Sequence, residues 1–409
     1  MRILFIGLNY APEIVGIGSY SAPLVEHLAS RGHQITVLTS FPYYPHWKID
    51  ANYEGKPPFM VEVINGVRVI RSPILLPGFR KSAFRRILFD SSIAITTLMA
   101  SAAVGGVDTV ICVSPPLQLG LTAWLVARLR RARFLLHLQD LVPDAALSVG
   151  LMRDGNAVRF ARGLERFVYS RAQRITVVSQ GFVDNLVSKG VAEAKLQLLP
   201  NWVDTGRFKS TSMPAVRAAL GAGDGDTLVL YTGNMGAKQG LETVVDAASE
   251  LADERVMLTF VGDGNRRPEL ESRAARLGLN NVRFVPLQTD LPGTLAAADL
   301  LVLAQRGQVV DSVAPSKLLS YMAAGKPIVA AVNKYSEAGR LVREADCGIV
   351  VPPDDPVALA AALRHYRNCP EEYSGLGEAG RRHVAEYYER SHILEQWSKL
   401  VDARPGAGA

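Results

Sequence analysis

Cysteine is scarce in this chain. Only Cys112, Cys347 and Cys369 occur in 409 residues, at no metal-ligand spacing, and an odd count does not make a disulfide framework. A reducing cytoplasm is the expected compartment. A secretory leader is not expected either, because the apolar run Arg2 to Gly7 is soon broken by Asn9, Pro12 and Glu13 and suits a buried first strand. No run interleaves basic and aromatic residues, so a nucleic-acid surface is not expected. Long uncharged stretches are also missing. The most apolar candidate, Ile87 to Val104, carries Asp90 and five Ser/Thr residues, which argues against a membrane span. It follows Arg80, Lys81, Arg85 and Arg86, so two readings stay open: a core helix only, or one whose basic flank touches anionic lipid. Low complexity is confined to the tail Arg404 to Ala409, read as disordered.

Charge is unevenly spread. Residues 1–204 hold 22 Lys+Arg against 14 Asp+Glu, a net of +8, and the remaining residues hold 23 against 25, a net of −2. At this length and 48% hydrophobic content the chain exceeds one ordinary core, and two domains of about two hundred residues each are expected.

Two stretches open alike. Arg2-Ile3-Leu4-Phe5-Ile6-Gly7 runs into a loop holding Gly16 and Gly18; Leu228-Val229-Leu230-Tyr231-Thr232-Gly233 runs into one holding Gly236, Lys238 and Gly240. A glycine loop between a parallel strand and a helix lets backbone N–H groups approach an anion at the positive end of the helix dipole. Further strands are predicted at Ile35–Thr39, Val67–Ile70, Val107–Val113 and Phe134–Leu138, with a helix over Tyr20–Arg31. The second half repeats the pattern, with strands at Leu228–Thr232, Met257–Val261, Val282–Val285, Leu300–Leu303, Ile328–Ala331 and Gly348–Val351. Such alternation implies a parallel sheet covered on both faces. Over Asn156–Arg174 a helix is predicted with Phe160, Leu164, Phe167 and Val168 on one face and Arg159, Arg162 and Arg166 opposite. The segment Leu198 to Asp204 reads as a hinge, giving domains of residues 1–204 and 205–385.

The chemistry is expected at strand ends. Lys238 lies on a loop of small residues, where a lysine neutralises a leaving diphosphate; an exposed surface lysine is the plainer reading. A helix from Ala314 to Gly325 opens with Pro315, Ser316 and Lys317, whose first-turn amides suit a phosphate. Gly262 allows a tight turn beside that position, and the backbone around Leu287, at the next strand end, is placed to read a nucleobase. In the first half, Asp140 ends a strand and suits an acceptor hydroxyl, whereas His137 reads as a core histidine.

Taken in order, Pro12-Glu13 with Gly16-Ile17-Gly18, Pro200-Asn201 with Val203-Asp204, Gly233-Asn234-Met235-Gly236 with Lys238-Gly240, and Pro315-Ser316-Lys317 with Tyr321 through Pro327 resemble the family 4 retaining glycosyltransferases, in particular bacterial exopolysaccharide enzymes of the colanic acid type. That resemblance implies an α/β fold of GT-B type, two Rossmann-like domains with parallel sheets facing a central cleft. It assigns the acceptor to the first domain and the nucleotide-sugar to the second, with a last helix, residues 386–403, packing back on the first. It also implies that Gly16, Gly18, Asn234, Lys238 and Lys317 approach the donor diphosphate. Two glutamates usual in the family are replaced here by Ser312 and Ser320, so Asp311, Ser312, Ser316 and Ser320 stand as candidate donor contacts.

The expected reaction is transfer from a nucleoside-diphosphate sugar to a saccharide acceptor, lipid-diphosphate-linked, with Lys238 and Asp140 as catalytic candidates, no metal and no cofactor. An anionic membrane surface is the expected partner of the basic first domain. Three enzyme rivals remain: a metal-dependent transferase using Asp224-Gly225-Asp226, a nucleotide-sugar epimerase of similar shape, and a dehydrogenase, disfavoured because Thr39-Ser40 stands where an acid is needed. A non-catalytic nucleotide-sugar-binding assembly subunit is the rival of another class.

Overall fold

The computed structural model describes residues 1–13, 16–44, 46–76, 83–141, 156–209, 214–309 and 316–403. Two compact units divide the chain, Met1–Pro200 with Ile393–Ala409, and Asn201–His392.

The first unit is built on β1 (Arg2–Ile6), β2 (Gln34–Ser40), β3 (Met60–Ile64), β4 (Val67–Ser72), β5 (Thr109–Ser114), β6 (Arg133–Leu138), β7 (Arg174–Val177) and β8 (Leu196–Leu198). They form one sheet in the order β3-β4-β2-β1-β5-β6-β7-β8. Neighbours are parallel except β3 and β4. Helices α1 (Gly18–Ser30), α2 (Ala83–Ala100), α3 (Gln118–Arg130), α4 (Asn156–Arg171) and α5 (Gln180–Ser188) connect the strands. Strand β5 is buried along its whole length, which is why it reads as a continuous apolar run. β3, β7 and β8 were not among the expected strands, and β7 begins at Arg174, where the expected helix was to end. Val61 and Val63 on β3 are 52% and 71% exposed, so no buried run marks that strand; the antiparallel pairing follows from the Asn65-Gly66 turn, both at positive φ.

One helical face needs correction. On α4 Val168 is buried as expected, but Phe160 is 76% exposed. The buried side instead carries Glu165, held by the Tyr169 hydroxyl at 2.9 Å and by Lys189 of α5 at 3.1 Å. A partner on another helix makes that acid tolerable inside.

The second unit contains β9 (Thr227–Thr232), β10 (Val256–Val261), β11 (Val282–Val285), β12 (Leu300–Ala304), β13 (Ile328–Ala331) and β14 (Gly348–Val351). Their order is β11-β10-β9-β12-β13-β14, all parallel. Helices α6 (Pro214–Ala219), α7 (Glu242–Ser249), α8 (Arg267–Arg276), α9 (Leu291–Ala296), α10 (Ser316–Ala323), α11 (Glu337–Glu344), α12 (Pro356–Asn368) and α13 (Leu376–Tyr387) flank them. Alternate residues of β9 enter two cores: Leu228 and Leu230 with Leu318 and Tyr321, Val229 and Tyr231 with Val244 and Leu258. In each sheet the chain reverses direction between two adjacent strands, β1 and β5 or β9 and β12. Ligands of such sheets bind outside the carboxyl ends at that point.

The final helix, α14 (Arg390–Asp402), groups with the first unit from Ile393 onward. There Trp397 is 1% exposed, its ring 5.0 Å from and edge-on to His137. Arg133 donates to the Val401 carbonyl at 2.8 Å, and His27 Nε2 lies 3.0 Å from Ser398 Oγ. Within the second unit, the Val203 and Arg390 amides exchange hydrogen bonds with Tyr388 and Val203 carbonyls at 3.0 Å each.

Candidate donor site and the matching loop of the first unit

In the second unit the site grows from the end of β9. Gly233 N donates to Val261 O at 2.8 Å, continuing the ladder one residue past the strand, and Met235 N donates to Asp263 O at 2.8 Å. The two loops are pressed together. Gly262 has φ +141°, and a Cβ on it would lie 2.2 Å from the Gly233 carbonyl oxygen, so only glycine fits. Met235, fully buried, anchors the loop from below.

Lys317, on the first turn of α10, reaches over this backbone. Its Nζ donates to the Tyr231 hydroxyl and, at 3.3 Å, to the Asn234 carbonyl, and it lies 4.1 Å from the Tyr231 ring centroid. The Tyr231 hydroxyl in turn donates to Asn234 O at 2.7 Å. Burial, with no acidic partner among the described residues, pushes the Lys317 ammonium down to about 7. One turn along α10, the fully buried Tyr321 accepts the Thr232 amide at 2.8 Å, fixing the helix to the strand end. Burial pushes that phenol up to about 12.

Lys238 is half-buried on the short turn Ala237–Gln239, and its ammonium has no partner among the described residues. Its carbonyl accepts Arg306 N at 3.0 Å. The Arg306 guanidinium then holds Ala237 O at 3.3 Å and Glu242 at 3.1 Å. Glu242 also takes Arg266; burial alone raises its carboxyl, but the hydrogen bond from Arg266 and both guanidinium charges outweigh this and lower it.

Of the remaining candidates, Ser316 is exposed at the start of α10, Ser320 is half-buried one turn on, and Asn234 is exposed on the loop. Leu287 is 53% exposed beyond β11. Asp311, Ser312 and Pro315 lie outside the described residues. The Asp224-Gly225-Asp226 turn precedes β9, and Asp226 is occupied by Gly223 N at 2.8 Å and Arg255 at 3.3 Å. Tyr231, Tyr321, Arg306 and Glu242 were not anticipated. A phenol in an apolar strand and another in an apolar helix were the available signals, since buried hydroxyls need partners.

The first unit's loop is held differently. Glu13 is 7% exposed; one oxygen accepts the Tyr43 and Tyr44 amides at 2.8 Å each, the other the Asn9 amide at 2.8 Å. Burial raises its carboxyl more than those bonds lower it. Gly18 opens α1 so close to this turn that a Cβ would sit 2.7 Å from Glu13 O, and Gly16 precedes it at φ +63°. Beneath, the fully buried Arg71 donates to Ser40 O at 3.1 Å, to Glu62 at 2.5 Å and to Ala11 O. Asp140 lies two residues past β6, half-buried and hydrogen-bonded or paired within the protein. His137 behind it is a core residue: Gln139 donates to Nε2 at 2.8 Å, Nδ1 meets the Thr176 hydroxyl at 2.8 Å, and burial lowers the imidazole to about 3.

With this geometry in view, comparison with known proteins is decisive. Residues 15–202 match the family model "Glycosyl transferase 4-like domain", and residues 226–368 match "Glycosyl transferases group 1". The chain is 32% identical to a protein of Escherichia coli K12 named for colanic acid biosynthesis, the glycosyl transferase WcaI, over 97% of this chain and 98% of that one. The chain belongs to family 4 of the glycosyltransferases. Two solved structures share its fold. Sucrose-phosphate synthase of Thermosynechococcus elongatus superposes with a TM-score of 0.76 at 20% identity, covering 98% of each chain. HepE of Anabaena, solved with UDP and glucose, superposes with a TM-score of 0.72 at 16% identity, covering 99% of this chain and 100% of that one. The two parallel α/β units are thus those of a GT-B glycosyltransferase.

Proposed function

We propose that this glycosyltransferase moves a sugar from a nucleoside-diphosphate sugar to a saccharide acceptor in cell-surface polysaccharide biosynthesis, with retained anomeric configuration and without a metal. The observation that carries the reading is Lys317, a cation with only neutral partners among the described residues, seated over glycine backbone at the strand-reversal point of the second sheet. A diphosphate there would meet Lys317, the amides opening α10 and the Lys238 ammonium on the same loop. As the bond from the anomeric carbon to the phosphate oxygen breaks, the acceptor oxygen bonds to that carbon on the same face. The departing phosphate oxygen takes the acceptor proton, so no carboxylate pair is required. In the first unit, the family resemblance makes Gly16 and Gly18 candidate diphosphate contacts and Asp140 the candidate to orient the acceptor hydroxyl. The backbone at Leu287 would read the base, and Asn234, Gly262, Ser316 and Ser320, with Asp311 and Ser312, would complete the donor contacts. HepE, solved with UDP and glucose, and WcaI, named for colanic acid biosynthesis, support a UDP-type donor and a polysaccharide role.

A lipid-diphosphate-linked acceptor and a cytoplasmic, membrane-peripheral location belong to the same reading. No helix among the described residues is long and apolar enough to cross a membrane. On α2, however, Ile95 and Met99 are 60% and 58% exposed, and Leu88 is 44% exposed one heptad before Ile95. Arg80 and Lys81 lie outside the described residues; Arg85 and Arg86 are both exposed, Arg86 also pairing with Asp90 at 3.1 Å and lying over the Phe89 ring. Replacing Ile95 and Met99 together by serine is expected to reduce binding to anionic vesicles; unchanged binding sinks the membrane assignment.

The central test is thermal unfolding of wild type and Lys238→Ala with UDP, GDP and ADP sugars, with and without EDTA. Ligand at a hundred times its dissociation constant adds about 2.7 kcal/mol. A shift with one nucleotide-sugar that survives EDTA and disappears in the variant is expected. No shift with any of them overturns the reading. Turnover only with added acceptor then separates transfer from epimerisation and from mere binding.

A further inference from the structure

Donor chemistry makes no use of the loop that leaves β2. Ser40 ends that strand, and Phe41 to Tyr53 follow at the carboxyl edge, where parallel sheets take their ligands. The loop gathers aromatic rings: Tyr43 to Trp47 at 5.5 Å, Tyr43 to Phe89 at 5.6 Å, Trp47 to Phe89 at 5.8 Å and Tyr44 to Trp47 at 6.5 Å between centroids. These rings divide into two tiers. Tyr43 is 4% exposed and Phe89 fully buried, forming a floor, whereas Tyr44 and Trp47 are half-buried and His46 is exposed.

The upper tier is held in place. Glu13 fixes the Tyr43 and Tyr44 amides, and the Tyr44 ring lies against Gly16, where a Cβ would come within 3.3 Å of it. Trp47 has φ +56°, a left-handed conformation costly for a bulky residue and found where surroundings over-determine it, often at ligand sites.

We propose that the face of Trp47 is a stacking platform for a pyranose ring of the saccharide acceptor, walled by Tyr44, whose ring stands at 78° to it, with His46 at the rim. This rests on the glycosyltransferase reading above. The face of an aromatic ring is electron-rich and attracts the positively polarised C–H groups that line one face of a pyranose. Sugar hydroxyls project around the ring edge, where His46 and water meet them. A nucleobase also stacks on aromatic rings, but it arrives with a diphosphate. Among the described residues around the loop, Arg71 is spent on Ser40, Glu62 and Ala11, and the exposed Lys48 beside Trp47 pairs with Glu54 at 3.7 Å. A site of half-open rings with few polar groups suits a neutral sugar.

The test is fluorine NMR of the full chain labelled with 5-fluorotryptophan. The four tryptophans give four resonances, and Trp47→Phe assigns that of Trp47. Methyl α- and β-D-glycopyranosides of gluco, galacto and 6-deoxygalacto configuration are titrated, with cyclohexane-1,2-diol as a control for polyol effects. At least one glycoside should shift the Trp47 resonance saturably while Trp124, Trp202 and Trp397 stay put and the diol does nothing. Tyr44→Ala should weaken that response by about tenfold, the scale of one aromatic contact, and Tyr44→Phe should keep it. The nucleotide-sugar thermal shift should persist in all three variants. If no glycoside moves Trp47, if the diol moves it equally, or if a nucleoside diphosphate is what moves it, the platform is wrong. Loss of the nucleotide-sugar shift in wild type would instead remove the parent reading, and the two failures are read by separate signals.

Discussion

The two units use one local design, a buried strand, a glycine turn and a helix, yet they treat positive charge in opposite ways. In the first, the cation under the loop is Arg71, fully buried and consumed by two carbonyls and Glu62, while a carboxylate, Glu13, ties the loop together. In the second, among the described residues, Lys317 has a phenol and a carbonyl but no acid, and Lys238 has no partner. Glycine loops of the same shape therefore do not imply the same ligand. The difference lies in whether the charge is already neutralised: among the described residues of the two loops, the first unit's Arg71 is paired with Glu62 and the second unit's Lys317 and Lys238 have no acidic partner.

Two substitutions of buried cations by methionine test that contrast most directly. Arg71→Met strands Glu62 and two carbonyls inside the first unit. Breaking such a buried pair costs about 3–5 kcal/mol, and each kcal/mol lowers the midpoint of a unit this size by about 2–4 °C. Calorimetry should show a large drop in the midpoint, while nucleotide-sugar still protects whatever protein remains folded. Lys317→Met should do the reverse. Removing a desolvated ammonium with no acidic partner leaves the unliganded midpoint unchanged or higher, while the turnover rate falls roughly 10²- to 10³-fold, as for loss of one preorganised electrostatic group. If both variants merely unfold, or if Arg71→Met abolishes nucleotide protection at temperatures where it is folded, the division between a structural and a functional cation fails.

The sequence was most informative where apolar residues run together. β13, buried at all four positions, and the edge strands β11 and β14, which are only partly buried, all occupy the ranges read from such runs. β3 was missed because its Val61 and Val63 face outward on either side of Glu62, so no continuous apolar run marks it. The same limit applies to the sites. Lys238 and Lys317 announce themselves as lysines among glycines. Glu13 gives no local hint that its partners are Tyr43 and Tyr44, thirty residues on, and Phe160 could be turned outward only once Lys189 was seen to satisfy Glu165. Helical periodicity names two faces; it does not say which one a distant partner will pay for.

The smallest effect to seek is a difference in pH response between the two loops. Glu13 has a folded pKa raised above its ordinary value by burial, so the folded state binds more protons there, and its stabilising contribution is lost as pH rises through that raised pKa. Lys317 is lowered to about 7, so between there and its ordinary 10.5 the unfolded chain binds the extra proton. Its contribution therefore increases with pH across that window and is lost as pH falls toward 7. A diphosphate needs the ammonium charged, so donor affinity should run the other way, falling by up to about tenfold per pH unit above 7 until the liganded pKa is passed. A nucleotide-sugar suits the measurement because its esterified diphosphate does not titrate near neutrality. Titration calorimetry at pH 8 in buffers of different ionisation enthalpy should show proton uptake on binding, and Lys317→Met should abolish it. Uptake in wild type that is absent from Lys317→Met would locate the proton on α10; equal uptake in wild type and Lys317→Met would show that Lys317 is not the group that titrates on binding.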